Sequence, residues 1–409
     1  MNKFIILITV LLVIVSCSLK EESSKIEQKI QGVESSLVEM GSPSIAEQFH
    51  VDHIKTQKTM SLSERMAHYH VPGVSIAVIN NNEIEWAKAY GVSKAGSDTP
   101  LTTEILFEAA STTKLITSVI ALNFVEQEQF DLDEDINRYL KSFKIPENDF
   151  TRKEKVTLRR LLIHQSGLNR PDGGFGYQEG SVPSLIQVLK GESPAENKAA
   201  VVEYVPGTQH QYSNLGYLVI QLLLEDVTGK PYSQIVKEII FAPARMKNST
   251  VEYPFKPEIE MKVIKPHDQE GNAHENGLHP TALAHGNLVT TPADLALFAV
   301  ELMRAYQGRS TQILSQKTVQ GMFEVEFAFD PTQFFGMTAQ GLGVFLMGEG
   351  ENLYFLYLGH NSPGATSLFI ASPATGKGAV IMTNGFNGLQ LSMEILAALV
   401  NEYDWPNVQ

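Results

Sequence analysis

The strand-forming segments of this chain lie at its two ends, with a long helical stretch between them, and that order limits the folds open to it. Near the start, Val74-Ser75-Ile76-Ala77-Val78-Ile79 is rich in β-branched residues and Asn80-Asn81-Asn82-Glu83 is a polar turn. Ile84 to Tyr90 then alternates, with Ile84, Trp86 and Lys88 on one face and Glu85, Ala87 and Ala89 on the other. The pattern predicts a β-hairpin. Near the end, Ser367-Leu368-Phe369-Ile370 and Ala379-Val380-Ile381-Met382 flank a turn region with Pro373, Gly376 and Gly378, which predicts a second hairpin. An amphipathic helix is expected from Leu389 to Val400. Between the hairpins, Thr112 to Glu126 is apolar nearly all round and reads as a buried helix. Leu215 to Val227 reads as another, closed by Gly229. Thr291-Pro292-Ala293-Asp294 supplies an N-cap, an N1 proline and an N3 acid for a helix through Leu302. The expected fold is α+β, an α/β/α sandwich: an antiparallel sheet built from both chain ends, with a mainly helical region inserted.

The 409 residues suffice for one large domain or two medium ones, and a 43% hydrophobic fraction supports a proper core. A formal net charge of −14 argues against a nucleic-acid partner, because there is no basic surface to neutralise phosphates. Cys17 stands alone, so no disulfide can form within the chain. No Cys/His cluster has zinc spacing.

The start reads as an export signal. Lys3 precedes an apolar run from Phe4 to Val15, too short for a comfortable membrane span and suited to a signal-peptide core. Ile14-Val15-Ser16-Cys17 resembles a bacterial lipobox, which implies cleavage before Cys17 and lipidation of its thiol. A plain signal peptide with an incidental cysteine is the alternative. Residues 1–16 are thus expected to be a signal peptide and 17–58 a lipid-anchored flexible tether, rich in Glu, Lys, Ser and Gln and with room for some helix. Residues 59–409 would form the folded domain, held at the membrane by the lipid and facing the periplasm or exterior.

Three short motifs carry chemistry. Ser111-Thr112-Thr113-Lys114 opens the buried helix, and its i to i+3 spacing puts Ser111 and Lys114 on one face, one turn apart. A serine hydroxyl needs a base to become a nucleophile, and a lysine serves once burial depresses its pKa. In isolation the motif is common by chance, and the serine could simply cap the helix. Tyr212-Ser213-Asn214 follows the Pro206-Gly207 turn and precedes the helix at Leu215. Tyr212 could shuttle a proton, Asn214 could donate to a substrate amide, and Ser213 or Asn214 could cap the helix. Gly359-His360-Asn361-Ser362-Pro363-Gly364 precedes the strand at Ser367, where a donor group could hold a substrate carboxylate.

With these motifs in this order, the chain resembles the serine β-lactamase and penicillin-binding-protein superfamily, in its class C-like branch. Phe107-Glu108-Ala109-Ala110, Leu132 to Ile136, Val156 to Leu168 and Asn214-Leu215-Gly216-Tyr217 carry the likeness further, over about Val71 to Trp405. The resemblance implies a β-lactamase/transpeptidase-like fold. It also implies acyl transfer to Ser111, with Lys114 and Tyr212 as the catalytic base system and no cofactor. Asn214, His360, Asn361 and Ser362 would contact a small-molecule or peptide substrate, an amide, ester or β-lactam. No obligate protein partner is evident.

The third motif departs from the branch's usual pattern. Histidine stands first, as in esterase and peptidase relatives, and Ser362 replaces a glycine, adding a Cβ where substrate approaches. Pro363 falls where the resemblance expects an N–H for the oxyanion, and proline has none. The readings left open are an oxyanion donor from a shifted register, or a catalytically weak scaffold that only binds. His267, His274, His279 and His285 cluster in a loop-rich stretch, so a metal hydrolase is a third reading, although the spacings fit no usual zinc site. One of these histidines could line the cleft, Gly173 to Tyr177 could cover it, and His164 is expected to order its own turn.

Overall fold

The computed structural model describes residues 20–39, 58–170, 174–330 and 335–406. The proposed signal peptide, its lipobox and Cys17 lie outside them.

The two ends of the chain meet in one antiparallel sheet. The N-terminal hairpin is β1 (Gly73–Asn80) and β2 (Glu83–Gly91). The short β3 (Phe107–Glu108) and β4 (Val289–Thr290) form a separate two-stranded sheet, and Val289 also bridges to Thr250. The main sheet continues with β5 (Phe327–Ala328), β6 (Ala339–Gly341), β7 (Val344–Met347), β8 (Tyr354–Asn361), β9 (Ala365–Ser372) and β10 (Lys377–Thr383). Its order is β2-β1-β10-β9-β8-β7-β6-β5, and β1 joins β10 from Val74 opposite Thr383 to Ile79 opposite Gly378. Both expected hairpins are present. The strands β5 to β8 were not foreseen. β6, β7 and most of β8 are buried on both faces, so they lack the polar alternation by which a half-exposed strand is recognised.

Helices cover both faces. The long ones are α1 (20–35), α2 (Leu62–His68), α3 (Thr113–Glu126), α4 (Asn214–Thr228), α5 (Pro292–Tyr306) and α6 (Gly388–Glu402). Along β9, Ser367 and Phe369 point to one side: Ser367 Oγ donates to the Ala109 carbonyl at 2.7 Å, and the Phe369 ring meets Phe298 of α5. Thr366 points to the other side, where Gly388 of α6 is seated on Thr366 and Thr383. The result is an α/β/α sandwich with α3, α4 and α5 on one side and α2 and α6 on the other. Caps follow the local sequence: Ser213 begins α4, Gly229 ends it with φ +68°, and the Thr291 side chain accepts the Asp294 N–H. The last of these helices runs to Tyr306, one turn beyond the expected end.

The segment read as a flexible tether is in part ordered against the domain. Within α1 and just after it, Ile30, Val33 and Leu37 are buried in the main core, with Ile26 packed beside them. Their 4-3-4 spacing is a helical apolar stripe that the polar composition hid. Lys88 Nζ holds Glu34 at 2.6 Å, and Leu37 pairs with Met60.

Candidate active site

Ser111 is presented by a strained turn. Ala110, immediately before it, has φ +48°, a left-handed conformation that costs a non-glycine residue about 1–2 kcal/mol. Hydrogen bonds hold the turn in place. The Ala109 N–H donates to the Leu288 carbonyl (2.8 Å), Thr113 Oγ1 donates to the Ala110 carbonyl (2.6 Å), and the Leu288 N–H donates to Thr113 Oγ1 (3.0 Å). The β3–β4 pairing is the reason the 284–290 segment runs beside the serine. From the other side, Gly359 of β8 packs so close that a Cβ there would lie 2.3 Å from the Ala109 carbonyl oxygen.

Lys114 is fully buried one turn along α3. Its Nζ lies 3.3 Å from Ser111 Oγ and donates to the His285 carbonyl at 2.6 Å. Burial, helped by the charge of Arg170, holds its pKa well below the usual lysine value, which favours the neutral amine and its lone pair. The rings of Tyr212 and Tyr217 flank it, at 4.9 and 5.6 Å from Nζ to the centroids.

Tyr212 is buried beside this pair, and burial pushes its phenol up to about 12 despite the opposing effects of Ser111 and Tyr357. It is therefore protonated at neutral pH. The backbone around it is positioned by His164, itself in a left-handed conformation with φ +57°. The His164 carbonyl accepts the Gln211 N–H (2.8 Å), its Nδ1 accepts the Ser213 N–H (3.2 Å), and its ring lies 4.3 Å from that of Tyr212. Burial keeps the imidazole neutral, which leaves Nδ1 free to accept. His164 thus orders the tyrosine motif rather than only its own turn. Asn214 is the first residue of α4, and its Oδ1 is buried without a hydrogen-bond partner among the described residues.

The third motif divides between the two faces of the sheet. Side chains alternate along β8, so Tyr357, Gly359 and Asn361 face α3 while Leu358 and His360 face away. The register agrees: Gly359 opposes Ser367 on the Ser111 side, and His360 opposes Thr366 on the α6 side. His360 meets Phe386, ring centroids 5.0 Å apart. Strand alternation thus sets His360 on the face away from Ser111, unlike Asn361. Tyr357 instead approaches Tyr212 and Tyr217 from β8. Asn361 donates to Glu108 Oε2 (2.9 Å) and the Gly286 carbonyl (3.3 Å), so its side chain supports the wall behind the serine. Glu108 also accepts from Asn276 at 2.7 Å, and burial raises its pKa. Ser362 and Pro363 belong to the turn beyond Asn361 and Ala365, the last paired residues of β8 and β9. The Ser362 carbonyl packs against Gly277.

The four clustered histidines serve different places. His267 Nε2 accepts the Ala95 N–H, His274 pairs with Asp268, and His279 Nδ1 accepts the Ala282 N–H. His285 alone reaches Lys114, through its carbonyl. Among the described residues no three or more His, Cys, Asp or Glu side chains group as metal ligands. Of the glycine-rich loop, Gly174 to Tyr177 is described. The Phe175 ring meets His285 and the Tyr177 ring meets His279, so this part does border the Lys114 pocket. Sequence reasoning did not assign Glu108, Tyr357 or Arg170 to the site; Glu108 lay inside a quoted motif, and the other two carry no local signal.

Comparison with known proteins bears on this geometry. Residues 61–402 match the family described as Beta-lactamase. The N-acetylmuramyl-L-alanine amidase of Bacillus subtilis is 26% identical over 364 residues, covering 81% of each chain. A D-amino acid amidase from Ochrobactrum anthropi SV3, solved with L-phenylalanine, superposes with a TM-score of 0.66 at 26% identity, over 83% of this chain and 96% of that one. The octameric penicillin-binding protein homologue of Pyrococcus abyssi shares the fold, with a TM-score of 0.68 at 24% identity over 84% and 77% of the two chains. With a matched region that spans the sheet, the helical insertion and the Ser111 turn, the chain belongs to the Beta-lactamase family and is a serine hydrolase of the β-lactamase-related type.

Proposed function

We propose that Ser111 is the nucleophile of an acyl-transfer hydrolase that cleaves an amide or ester bond, with Lys114 as its base. The observation that carries this reading is the 3.3 Å approach of the fully buried Lys114 amine to Ser111 Oγ. Lys114 takes the hydroxyl proton as Oγ attacks the substrate carbonyl carbon. The Ser111 N–H stabilises the oxyanion, a donor worth about 3–4 kcal/mol. With no N–H on Pro363, the second donor falls to Ser362, Gly364 or Ala365 in the turn around it. Tyr212, protonated at rest, passes a proton to the leaving group and recovers one from Lys114. Water releases the acyl group by the reverse steps, and general acid–base catalysis of this kind contributes about 10²–10⁴-fold. Asn214, at the start of α4, holds a substrate amide. The names of the relatives, an amidase and D-alanyl-D-alanine carboxypeptidases, support a peptide or small amide as substrate.

The test is a mass adduct on Ser111 after exposure to a fluorescent penicillin or a fluorophosphonate, with Ser111→Ala as control. A penicillin adduct supports a penicillin-recognising hydrolase, and a fluorophosphonate adduct alone supports an esterase or amidase. No adduct with either sinks the assignment. The Cys17 motif supports export and a lipid anchor in the bacterial envelope. Detergent partitioning of the wild type against Cys17→Ser tests it, and partition of both into the aqueous phase would refute the anchor.

A further inference from the structure

A positive charge near Lys114 and Tyr212 has no direct part in the proposed proton transfers. Lys114 is neutral, the buried imidazoles of His164 and His285 are held uncharged, and His360 is on the other face of β8. Arg170 remains. The residue before it, Asn169, is buried and locked: its Nδ2 donates to the Ala199 carbonyl (3.0 Å), and its Oδ1 accepts the Val201 N–H (3.0 Å). The Asn169 carbonyl also accepts Ser213 Oγ at 3.2 Å, which ties this strand of chain to the middle of Tyr212-Ser213-Asn214. Arg170 therefore emerges beside the tyrosine motif, and its charge bears on both Lys114 and Tyr212. It is exposed and has no ion-pair partner among the described residues. The neighbouring arginines differ: Arg159 holds Asp133 and Glu326, and Arg160 holds Glu154. In a chain of net charge −14, an exposed arginine beside the tyrosine motif with no ion-pair partner among the described residues is available to an anion brought by the substrate.

We propose that Arg170 is a specificity residue that binds an anionic group of the substrate, a carboxylate or phosphate, as it enters the cleft. This rests on the reading of Ser111 as nucleophile and names the substrate class for that site. A guanidinium suits the task because its fork meets such groups with two parallel hydrogen bonds.

The experiment compares kcat/KM within two substrate pairs. N-succinyl- and N-acetyl-D-alanine p-nitroanilide place or omit a carboxylate on the acyl side. N-acetyl-D-alanyl-D-alanine and its C-terminal amide place or omit one on the leaving-group side. In the wild type the charged member of one pair is expected to be favoured about tenfold or more, the scale of a hydrogen bond to a charged group. Arg170→Ala is expected to erase that preference and Arg170→Lys to keep part of it. A charged-to-neutral ratio that moves less than about threefold in both pairs on Arg170→Ala would overturn the proposal. Labelling of wild-type Ser111 by a fluorophosphonate is read in parallel. Labelling without charge preference refutes Arg170 alone, whereas no labelling refutes the nucleophile and the specificity built on it.

Discussion

Lys114 Nζ donates to the carbonyl oxygen of His285 at 2.6 Å, across 171 residues of chain. That bond fixes the amine where it meets Ser111 Oγ and satisfies one of its N–H groups without adding a negative charge. A carboxylate in the same place would favour the ammonium form far more than an uncharged carbonyl does, so burial still sets the direction of the shift.

Keeping this lysine neutral costs stability. Its folded pKa lies below the unfolded value of about 10.4, so the unfolded chain binds more protons and stability rises with pH up to that value. Lys114→Met is therefore expected to abolish turnover while raising the melting temperature at pH 7. The gain should shrink as pH approaches about 10. Thermal melts across pH check this, and a Met variant that melts lower than wild type at pH 7 would contradict the assigned charge state.

His360 and Tyr357 exchange the importance that sequence position suggests. His360→Ala is expected to leave kcat/KM within about threefold, since the ring is on the α6 side of the sheet. Tyr357→Phe should lower kcat by tenfold or more, about 1.4 kcal/mol, through loss of the hydroxyl facing Tyr212. Steady-state kinetics of both variants decide the matter; a large loss confined to His360→Ala would reverse it.

Gly359 has the room of a hydrogen atom and no more. In Gly359→Ala the new Cβ would come within 2.3 Å of the Ala109 carbonyl and 2.4 Å of Ser367 Oγ, both backing the Ser111 turn. Overpacking of this kind costs about 1–3 kcal/mol. Because the neighbour that must move carries the nucleophile, Ser111 acylation should slow as well. Urea unfolding and probe-labelling rates measured on the same variant test whether the two effects appear together.

The α2 and α6 helices are joined by a buried ion pair. Arg65 Nε and Nη2 each donate to the Glu394 carboxylate at 2.7 Å, and Tyr69 Oη donates to it at 2.7 Å. Glu394→Leu alone strands a buried guanidinium and should cost about 3–5 kcal/mol. Arg65→Met with Glu394→Leu should recover most of that loss. Denaturant titration of the single and double variants provides the check, and strictly additive losses would exclude a coupled pair.

Much of this protein is determined by local sequence. The 2-residue alternation of Ile84 to Tyr90, the all-round apolar Thr112 to Glu126 and the Thr291-Pro292 start are recognisable because each element's period and caps are written within a few residues. Ser111 and Lys114 were legible as a pair for the same reason, since helical geometry alone puts i and i+3 on one face. Other features were decided only by tertiary structure. β6 to β8 are buried on both faces and show no alternation. The face that His360 occupies depends on the register of β8 with β9, and one residue of slip would exchange it with Asn361. The depressed pKa of Lys114 comes from its complete burial, and Arg170 is brought beside the tyrosine motif by the Asn169–Ser213 contact. Local sequence sets which side chains share a turn, whereas long-range packing sets their solvent, their charge state and the opposite wall of the site.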